Sequence, residues 1–354
     1  MKTRLIQINA LQPNPEALGE AAEAVRSGGL VAFPTETVYG LGTDATNPKA
    51  VAEIFRAKGR PVSDPFIVHI CAPDELNEVA ARISLAARVL ADTFWPGPLT
   101  LVLPKRSRIP DVVTAGLPTT GVRCPAHPVA EGLIRAAGCP IAAPSANRFS
   151  HVSPTCAEHV LSDLDGRIDL ILDAGPTEVG LESTVLAANE DNVEIYRPGG
   201  ISRQCIQQAL KDAGLNMPVT VKGADERPGA SPGMLEKHYA PNAPVALFVG
   251  ERGRCLHAMH RFAEEWTRDG QVVAFLISNE DAAELKKAPD YHLTFLLGSG
   301  NNEMAHRLYT GLRELDSLGA DIILVRSAEG GELAEAINDR LTKACGGGGR
   351  VIRV

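Results

Sequence analysis

The sequence carries the stretch Phe33-Pro34-Thr35-Glu36-Thr37-Val38-Tyr39-Gly40-Leu41-Gly42 shortly before a second motif, Lys58-Gly59-Arg60-Pro61. Hydroxyl groups, a carboxylate, three glycines and two cations are concentrated in these two motifs. A hydrophobic core has no use for this mixture, whereas a site for a polyanion and a small polar ligand does. The apolar run Leu30–Phe33 predicts a strand, so the polar residues after it fall at a strand end, where α/β sheets bind ligands.

The composition is that of an ordinary globular enzyme, with 354 residues, 44% hydrophobic and 22% charged. This length favours two domains. The net charge of -8 is spread along the chain: residues 1–210 hold 18 Lys and Arg against 23 Asp and Glu (-5), and the remainder holds 17 against 20 (-3). Neither part has the bulk positive charge of a nucleic-acid-binding domain.

The seven cysteines indicate a reducing compartment. Their odd number and the absence of C-x-x-C spacing disfavour both a disulfide framework and a zinc site. The sequence shows no signal-peptide pattern and no apolar run long enough to span a membrane. We therefore expect a cytoplasmic protein with no membrane association.

The pattern of predicted elements divides the chain into three parts. Residues 1–213 alternate short apolar strands with amphipathic helices, which predicts a twisted mixed α/β sheet. Residues 214–244 are rich in proline with little periodicity, which predicts a long linker. From residue 245 to 354 a regular strand–helix rhythm predicts a smaller doubly wound, Rossmann-like parallel α/β domain.

Further polar groups follow other predicted strands of the first part. They are Gly121-Val122-Arg123, Pro144-Ser145-Ala146-Asn147, Ser153-Pro154-Thr155, Glu182-Ser183-Thr184 and Tyr196-Arg197-Pro198-Gly199. Each alone is explained as well by a turn or a helix cap. Lys58 and Arg60 alone are explained better as a solvated helix end, and His69 as a core residue of an apolar strand. No Walker A, G-x-G-x-x-G or G-x-S-x-G motif occurs, so a nucleotide would need another cradle.

Taken together and in this order, the motifs resemble those of the threonylcarbamoyl-AMP synthase family in its long form. The linker adds Ser231-Pro232-Gly233-Met234 and His238-Tyr239-Ala240-Pro241 to the resemblance. The family resemblance implies a YrdC-like catalytic domain (1–213), a linker that acts as an active-site lid (214–244) and a C-terminal domain (245–354).

The resemblance also implies an activity, that of L-threonylcarbamoyladenylate synthase, a nucleotidyltransferase. L-threonine, bicarbonate or CO2 and ATP would give threonylcarbamoyl-AMP and pyrophosphate. That product would feed the t6A modification of adenosine 37 in tRNA, which a separate tRNA threonylcarbamoyl transferase complex completes. Mg2+ is expected with ATP, held by phosphate oxygens with few protein ligands.

Residue roles follow from the same resemblance. For ATP it implies the cations Lys58, Arg60 and Arg197 on the triphosphate, the neutral donors Ser145, Asn147 and Ser153, and Tyr239 of the lid on the nucleotide. For threonine it implies Thr35, Tyr39, His69, Arg123 and Ser183, with Arg123 pairing the carboxylate. Lys58 and Arg60 are also expected to be the catalytic residues, because neutralisation of phosphate charge is the main task.

Two other functions compete with this interpretation. A non-enzymatic RNA-binding or ribosome-maturation module is disfavoured by the charge of the first part, although weak RNA binding stays open. A carbamoyltransferase of hydrogenase maturation embeds a similar domain, but such chains carry paired zinc-finger cysteines, which this sequence lacks.

Overall fold

The computed structural model describes residues 2–222, 238–285, 293–346 and 349–354. The chain divides into two compact units, Met1–Phe149 with Ser153–Leu235, and Ser150–Val152 with Glu236–Val354. Most of the predicted linker, including the motif that begins at Ser231, lies outside the described residues.

The first unit contains an eleven-stranded mixed sheet, in the order β1-β8-β2-β3-β7-β4-β6-β5-β9-β10-β11. The strands in chain order are β1 Arg4–Gln7, β2 Val31–Phe33, β3 Gly40–Asp44, β4 Ile67–His69, β5 Leu99–Pro104, β6 Thr119–Arg123, β7 Ile141–Ala142, β8 Leu170–Asp173, β9 Thr184–Ala188, β10 Val193–Arg197 and β11 Val219–Val221. Parallel pairs such as β1 with β8 occur beside antiparallel pairs such as β2 with β3. The predicted mixed α/β fold is confirmed.

Helices cover this sheet. They are α1 Pro15–Arg26, α2 Pro48–Lys58, α3 Leu76–Val79, α4 Leu85–Phe94, α5 Pro128–Ala137, α6 Ala157–Leu164 and α7 Arg203–Asp212. Successive residues of β2 enter different hydrophobic clusters, because side chains alternate between the faces of a strand. Val31 and Phe33 pack with residues of α1 and α5, whereas Ala32 packs in the larger cluster with residues of α2 and α4. Both faces of the sheet are therefore buried.

Helix α2 shows how sequence places the second motif. Asn47 caps the helix by accepting hydrogen bonds from the backbone N–H of Lys49 and Ala50, and Pro48 occupies the first turn. Gly59 ends the helix with a φ of 65°, a left-handed conformation that glycine adopts without strain. The chain reverses there and directs Lys58 and Arg60 to the interior.

The second unit contains a five-stranded parallel sheet, in the order β14-β13-β15-β12-β16. Its elements are β12 Val245–Val249, α8 Arg252–Arg268, β13 Val273–Ile277, α9 Asn279–Leu285, β14 Leu293–Leu296, α10 Gly300–Ser317, β15 Ile322–Arg326, α11 Ala334–Cys345 and β16 Arg350–Arg353. Helix α8 packs on the face that carries Phe248 and Phe275, and α10 packs near Leu276 of the other face. The predicted doubly wound parallel domain is confirmed.

Two details differ from the sequence-based expectation. Val219–Val221, inside the predicted linker, pair with β10 as the edge strand of the first sheet. Arg350–Arg353, for which no element was predicted, pair with β12 as an edge strand of the second sheet. Among the described residues, no helix has the length and apolar character needed to cross a membrane.

Candidate active site

Lys58 and Arg60 are buried, with 3% and 7% of their surfaces exposed, so the interpretation of a solvated helix end is wrong. The Lys58 Nζ donates hydrogen bonds to the carbonyl oxygens of Ser145 (2.6 Å) and Asn147 (2.5 Å). Burial, with a smaller contribution from Arg60, lowers the pKa of Lys58 well below its usual value. A lysine with a depressed pKa in a buried polar group is typical of a functional site.

Arg60 forms a buried ion pair with Asp64, 2.9 Å between Nη2 and Oδ2. Its guanidinium also donates to the Pro65 carbonyl oxygen at 2.8 Å and lies 5.0 Å from the centre of the Phe66 ring. Burial raises the pKa of Asp64, while the charges of Arg60, Lys58 and Arg197 act in the opposite direction. Arg60 therefore pairs with a carboxylate that sequence reasoning did not assign, and the charges of Lys58 and Arg197 also act on that carboxylate.

The motif Pro144-Ser145-Ala146-Asn147 is held beside Lys58 by backbone hydrogen bonds. Tyr39 and Leu41 of the first motif exchange backbone hydrogen bonds with the loop after β7: Ala146 N donates to Tyr39 O, and Leu41 N donates to Pro144 O, both at 2.8 Å. Ser145 Oγ donates to Asn147 Oδ1 at 2.5 Å. Strand-like backbone pairing thus places Ser145 and Asn147 next to Lys58.

Arg197 and Ser183 lie together. The Arg197 guanidinium donates to the Ser183 carbonyl oxygen at 2.9 Å and to its hydroxyl at 3.2 Å. Gly199 makes this approach feasible, because a Cβ there would stand 2.4 Å from the backbone of Glu182, Ser183 and Thr184. The two motifs therefore pack backbone against backbone.

Ser153 is fully buried, and its hydroxyl donates to Glu182 Oε1 at 2.6 Å. Its motif also touches the first one, because Tyr39 N donates to the Pro154 carbonyl oxygen at 2.9 Å. Glu182 belongs to one of the sequence motifs but is not among the predicted site residues. Its contact with Ser153 adds a carboxylate to the candidate site.

Arg123 meets a partner that sequence reasoning missed. Its Nη2 lies 2.7 Å from Glu36 Oε1, and both side chains are 5% exposed. The only sequence signal for this contact is that Glu36 stands inside the first motif, since the two residues are far apart along the chain.

His69 lies opposite Arg123 in the parallel register of β4 and β6. Burial, reinforced by the charge of Arg123, lowers its pKa to about 3, so the imidazole is neutral at physiological pH. The hydroxyl of Thr35 donates to the Val38 carbonyl oxygen at 2.7 Å and contacts the Thr37 hydroxyl at 2.8 Å. Of the predicted threonine-binding set, Arg123 and His69 are thus brought together directly.

The two predicted tyrosines have other surroundings. The Tyr39 hydroxyl donates to the Gly175 carbonyl oxygen at 2.7 Å and accepts from Ala174 N, so its polar end is engaged by the loop after β8. Tyr239 belongs to the second unit, where its ring stacks on Tyr309 at 5.6 Å and faces the Arg340 guanidinium at 5.0 Å. Contact of Tyr239 with a nucleotide stays a prediction.

The described residues contain no group of three or more His, Cys, Asp or Glu side chains able to hold a metal ion. The buried cations Lys58, Arg60 and Arg197 suit phosphate oxygens. These side chains would not ligate a divalent cation themselves, so they fit such an ion only if it is bound to the phosphate oxygens of the ligand.

A mixed α/β domain with buried Lys and Arg side chains at the ends of a helix and of strands, flanked by hydroxyl and amide donors, is typical of a protein that binds a polyanion beside a small polar ligand. The family model described as "Telomere recombination" matches residues 23–199, and the model of the threonylcarbamoyl-AMP synthase C-terminal domain matches residues 201–346.

Individual relatives agree with the family models. Threonylcarbamoyl-AMP synthase from Pyrococcus abyssi is 42% identical, covering 94% of this chain and 95% of its own. That from Bacillus subtilis is also 42% identical, covering 97% and 96%. The crystal structure of P. abyssi Sua5 complexed with L-threonine superposes with a TM-score of 0.91 at 38% identity, covering 99% of this chain and 100% of that one. The chain belongs to the threonylcarbamoyl-AMP synthase family, which confirms the resemblance.

Proposed function

We propose that this chain is an L-threonylcarbamoyladenylate synthase, a nucleotidyltransferase that joins L-threonine, bicarbonate or CO2 and ATP to give threonylcarbamoyl-AMP and pyrophosphate. The observation that carries the proposal is the burial of three cations, Lys58, Arg60 and Arg197, whose charges all act on the Asp64 carboxylate. Burying cations is costly unless anions compensate them. A triphosphate supplies several negative charges to such a group of cations.

The roles of the residues follow from their chemistry. Lys58, Arg60 and Arg197 neutralise the triphosphate, with the planar guanidinium groups bridging phosphate oxygens and the ammonium acting as a point charge. Ser145, Asn147 and Ser153 donate to ATP, and Arg123 pairs the threonine carboxylate. Thr35, His69, Ser183 and the wall around Tyr39 surround the rest of the amino acid. Tyr239 contacts the nucleotide from the lid.

The reaction needs positioning and charge stabilisation rather than a covalent enzyme intermediate. The bound ammonium of threonine first loses a proton to solvent. The neutral amine then attacks CO2, forming a C–N bond as one C=O π bond opens onto its oxygen, and a second proton leaves the nitrogen to solvent to give the carbamate. A carbamate oxygen then attacks the α-phosphorus in line, forming an O–P bond as the bond to the β-phosphate oxygen breaks. Pyrophosphate leaves with that electron pair, and the buried cations stabilise the charge that develops on it.

Mg2+ would supply further neutralisation of phosphate charge, held mainly by ATP oxygens. Lys58, Arg60 and Arg197 of the protein would neutralise the remaining negative charge of the phosphates. We place the activity in the cytoplasm on the sequence evidence, with transfer of the product to a tRNA threonylcarbamoyl transferase complex.

The test is release of pyrophosphate by the purified full chain with ATP, Mg2+, bicarbonate and L-threonine, with mass-spectrometric detection of threonylcarbamoyl-AMP. We expect release to depend on threonine and bicarbonate together. Omission of either substrate, or of ATP, is the control. Binding of RNA with no pyrophosphate release under these conditions would instead support the non-enzymatic RNA-binding module.

A further inference from the structure

We propose that Glu36 binds the α-ammonium group of the amino acid substrate, and that its carboxylate yields Arg123 to the substrate carboxylate on binding. This inference rests on the proposed function, because it concerns the threonine side of that site. It assigns a role to a residue that the predicted site does not include.

Geometry carries the first step. The backbone of Glu36 is fixed by a hydrogen bond from Val179 N to its carbonyl oxygen, at 2.8 Å. Its carboxylate contacts the Arg123 guanidinium at 2.7 Å, and both side chains are almost fully buried. Apart from this ion pair, neither carboxylate oxygen accepts a hydrogen bond from any residue that the structure describes.

The second step concerns how many donors such a group needs. An ionised carboxylate has about four acceptor positions, and a buried ion pair is stable only when further hydrogen bonds satisfy them. Glu36 has one guanidinium and no further donor among the described residues. An ammonium group, with three N–H donors, fills the remaining positions.

The third step is charge balance. The predicted threonine-binding residues Thr35, Tyr39, His69, Arg123 and Ser183 include no anion. His69 stays neutral, so Arg123 is the cation of this set. An amino acid zwitterion brings one carboxylate for Arg123 and one ammonium for the displaced Glu36. One ion pair then becomes two, with no buried charge left alone.

The same balance predicts selectivity. A carboxylic acid without the amine would take Arg123 and leave the Glu36 carboxylate buried with no partner, which is strongly unfavourable. Glu36 would thus favour α-amino acids over simple hydroxy acids. It would act as a substrate-binding residue that also competes for Arg123.

The experiment compares two ligands by calorimetric titration of the full chain: L-threonine, and 2,3-dihydroxybutanoate, in which a hydroxyl replaces the amine. Wild type should prefer threonine. In Glu36→Gln, the preference should fall by about 10- to 100-fold, because a hydrogen bond to a charged group is lost. The hydroxy acid itself should bind about tenfold more tightly than to wild type, because no competing carboxylate remains on Arg123.

Tighter binding of the hydroxy acid distinguishes the proposal from damage to the fold, because damage would weaken the binding of both ligands. Glu36→Ala should show the same gain. The matched control is Glu190→Gln, which removes a carboxylate from an exposed ion pair with Arg82 in the same unit and should leave both affinities unchanged.

Normal threonine binding with an unchanged preference in both Glu36 variants would overturn this inference alone. Absence of threonine binding in wild type would overturn the proposed function and the inference with it.

Discussion

A buried carboxylate in the second domain, Asp281, and one in the first, Glu36, differ in how completely their hydrogen bonds are satisfied. In the second domain, Asp281 at the start of α9 accepts from Arg252 Nε with one carboxylate oxygen (3.0 Å) and from Arg326 Nε with the other (2.7 Å). Arg326 is further bonded to the Ser327 carbonyl oxygen. In the first domain, Glu36 shares one ion pair with Arg123 and accepts no hydrogen bond from the described residues.

This difference separates a structural network from a binding site. A buried network whose members are all satisfied holds its elements together and offers nothing to a ligand. A buried pair with unsatisfied acceptors has capacity for another donor. Both carboxylates, Asp281 and Glu36, are buried, so hydrogen-bond satisfaction is the feature that separates them.

The largest expected effect breaks the satisfied network. Asp281→Ala leaves Arg252 and Arg326 without their shared carboxylate and should cost the second domain about 3–5 kcal/mol of stability. Urea unfolding monitored by circular dichroism measures it. Glu284→Ala, which removes the exposed partner of Arg252 on the same helix, should cost at most about 1 kcal/mol. Equal losses in the two variants would contradict a structural role for the Asp281 network.

The next effect concerns the cationic group of the first domain. Lys58→Ala and Arg60→Ala should each lower kcat/KM for pyrophosphate release by about 100-fold or more, as for loss of one transition-state donor. Lys49→Ala removes an exposed lysine from the first turn of the same helix and should leave turnover unchanged. Turnover at the wild-type level in both site variants would refute the proposed triphosphate site.

A smaller effect tests whether close backbone packing keeps Arg197 at the site. In Gly199→Ala, the added methyl group would meet the backbone of Glu182 to Thr184 at 2.4 Å and should cost about 1–3 kcal/mol while weakening ATP binding. Gly19→Ala is the control, because nothing lies within 4 Å of a Cβ at that position of α1. It should be neutral or stabilising by up to about 1 kcal/mol. Calorimetric titration with ATP and thermal unfolding distinguish the two variants.

Much of the architecture was predictable, because short apolar strands, helix caps and the regular rhythm of the second domain are local signals. Gly40–Asp44 was not: its glycines indicate a turn, yet it forms the interior strand β3, because tertiary pairing overrides weak strand propensity. The cations of the site were also predictable from their motifs. The pairing of Glu36 with Arg123 was not, because a contact between distant segments leaves no periodic pattern in the sequence. Asp64 lies only four residues from Arg60, but in a loop, where this spacing carries no helical meaning.

The smallest expected effect is a pH dependence of stability in the first domain, caused by the buried His69 beside Arg123. His69 has a folded pKa of about 3 against a usual value of 6.5, so between these values the unfolded chain binds more protons than the folded one. Stability supplied by the neutral imidazole is complete above pH 6.5 and is lost as pH falls toward 3, by at most about 1.4 kcal/mol per pH unit.

From pH 6 to pH 4, wild type should therefore lose about 2 kcal/mol more than His69→Gln. Urea unfolding at several pH values measures the difference, and His257→Gln, at an exposed position of α8, should follow the wild-type curve. Parallel curves for wild type and His69→Gln would mean that His69 binds protons equally in the folded and unfolded states, and would contradict the lowered pKa of the buried imidazole.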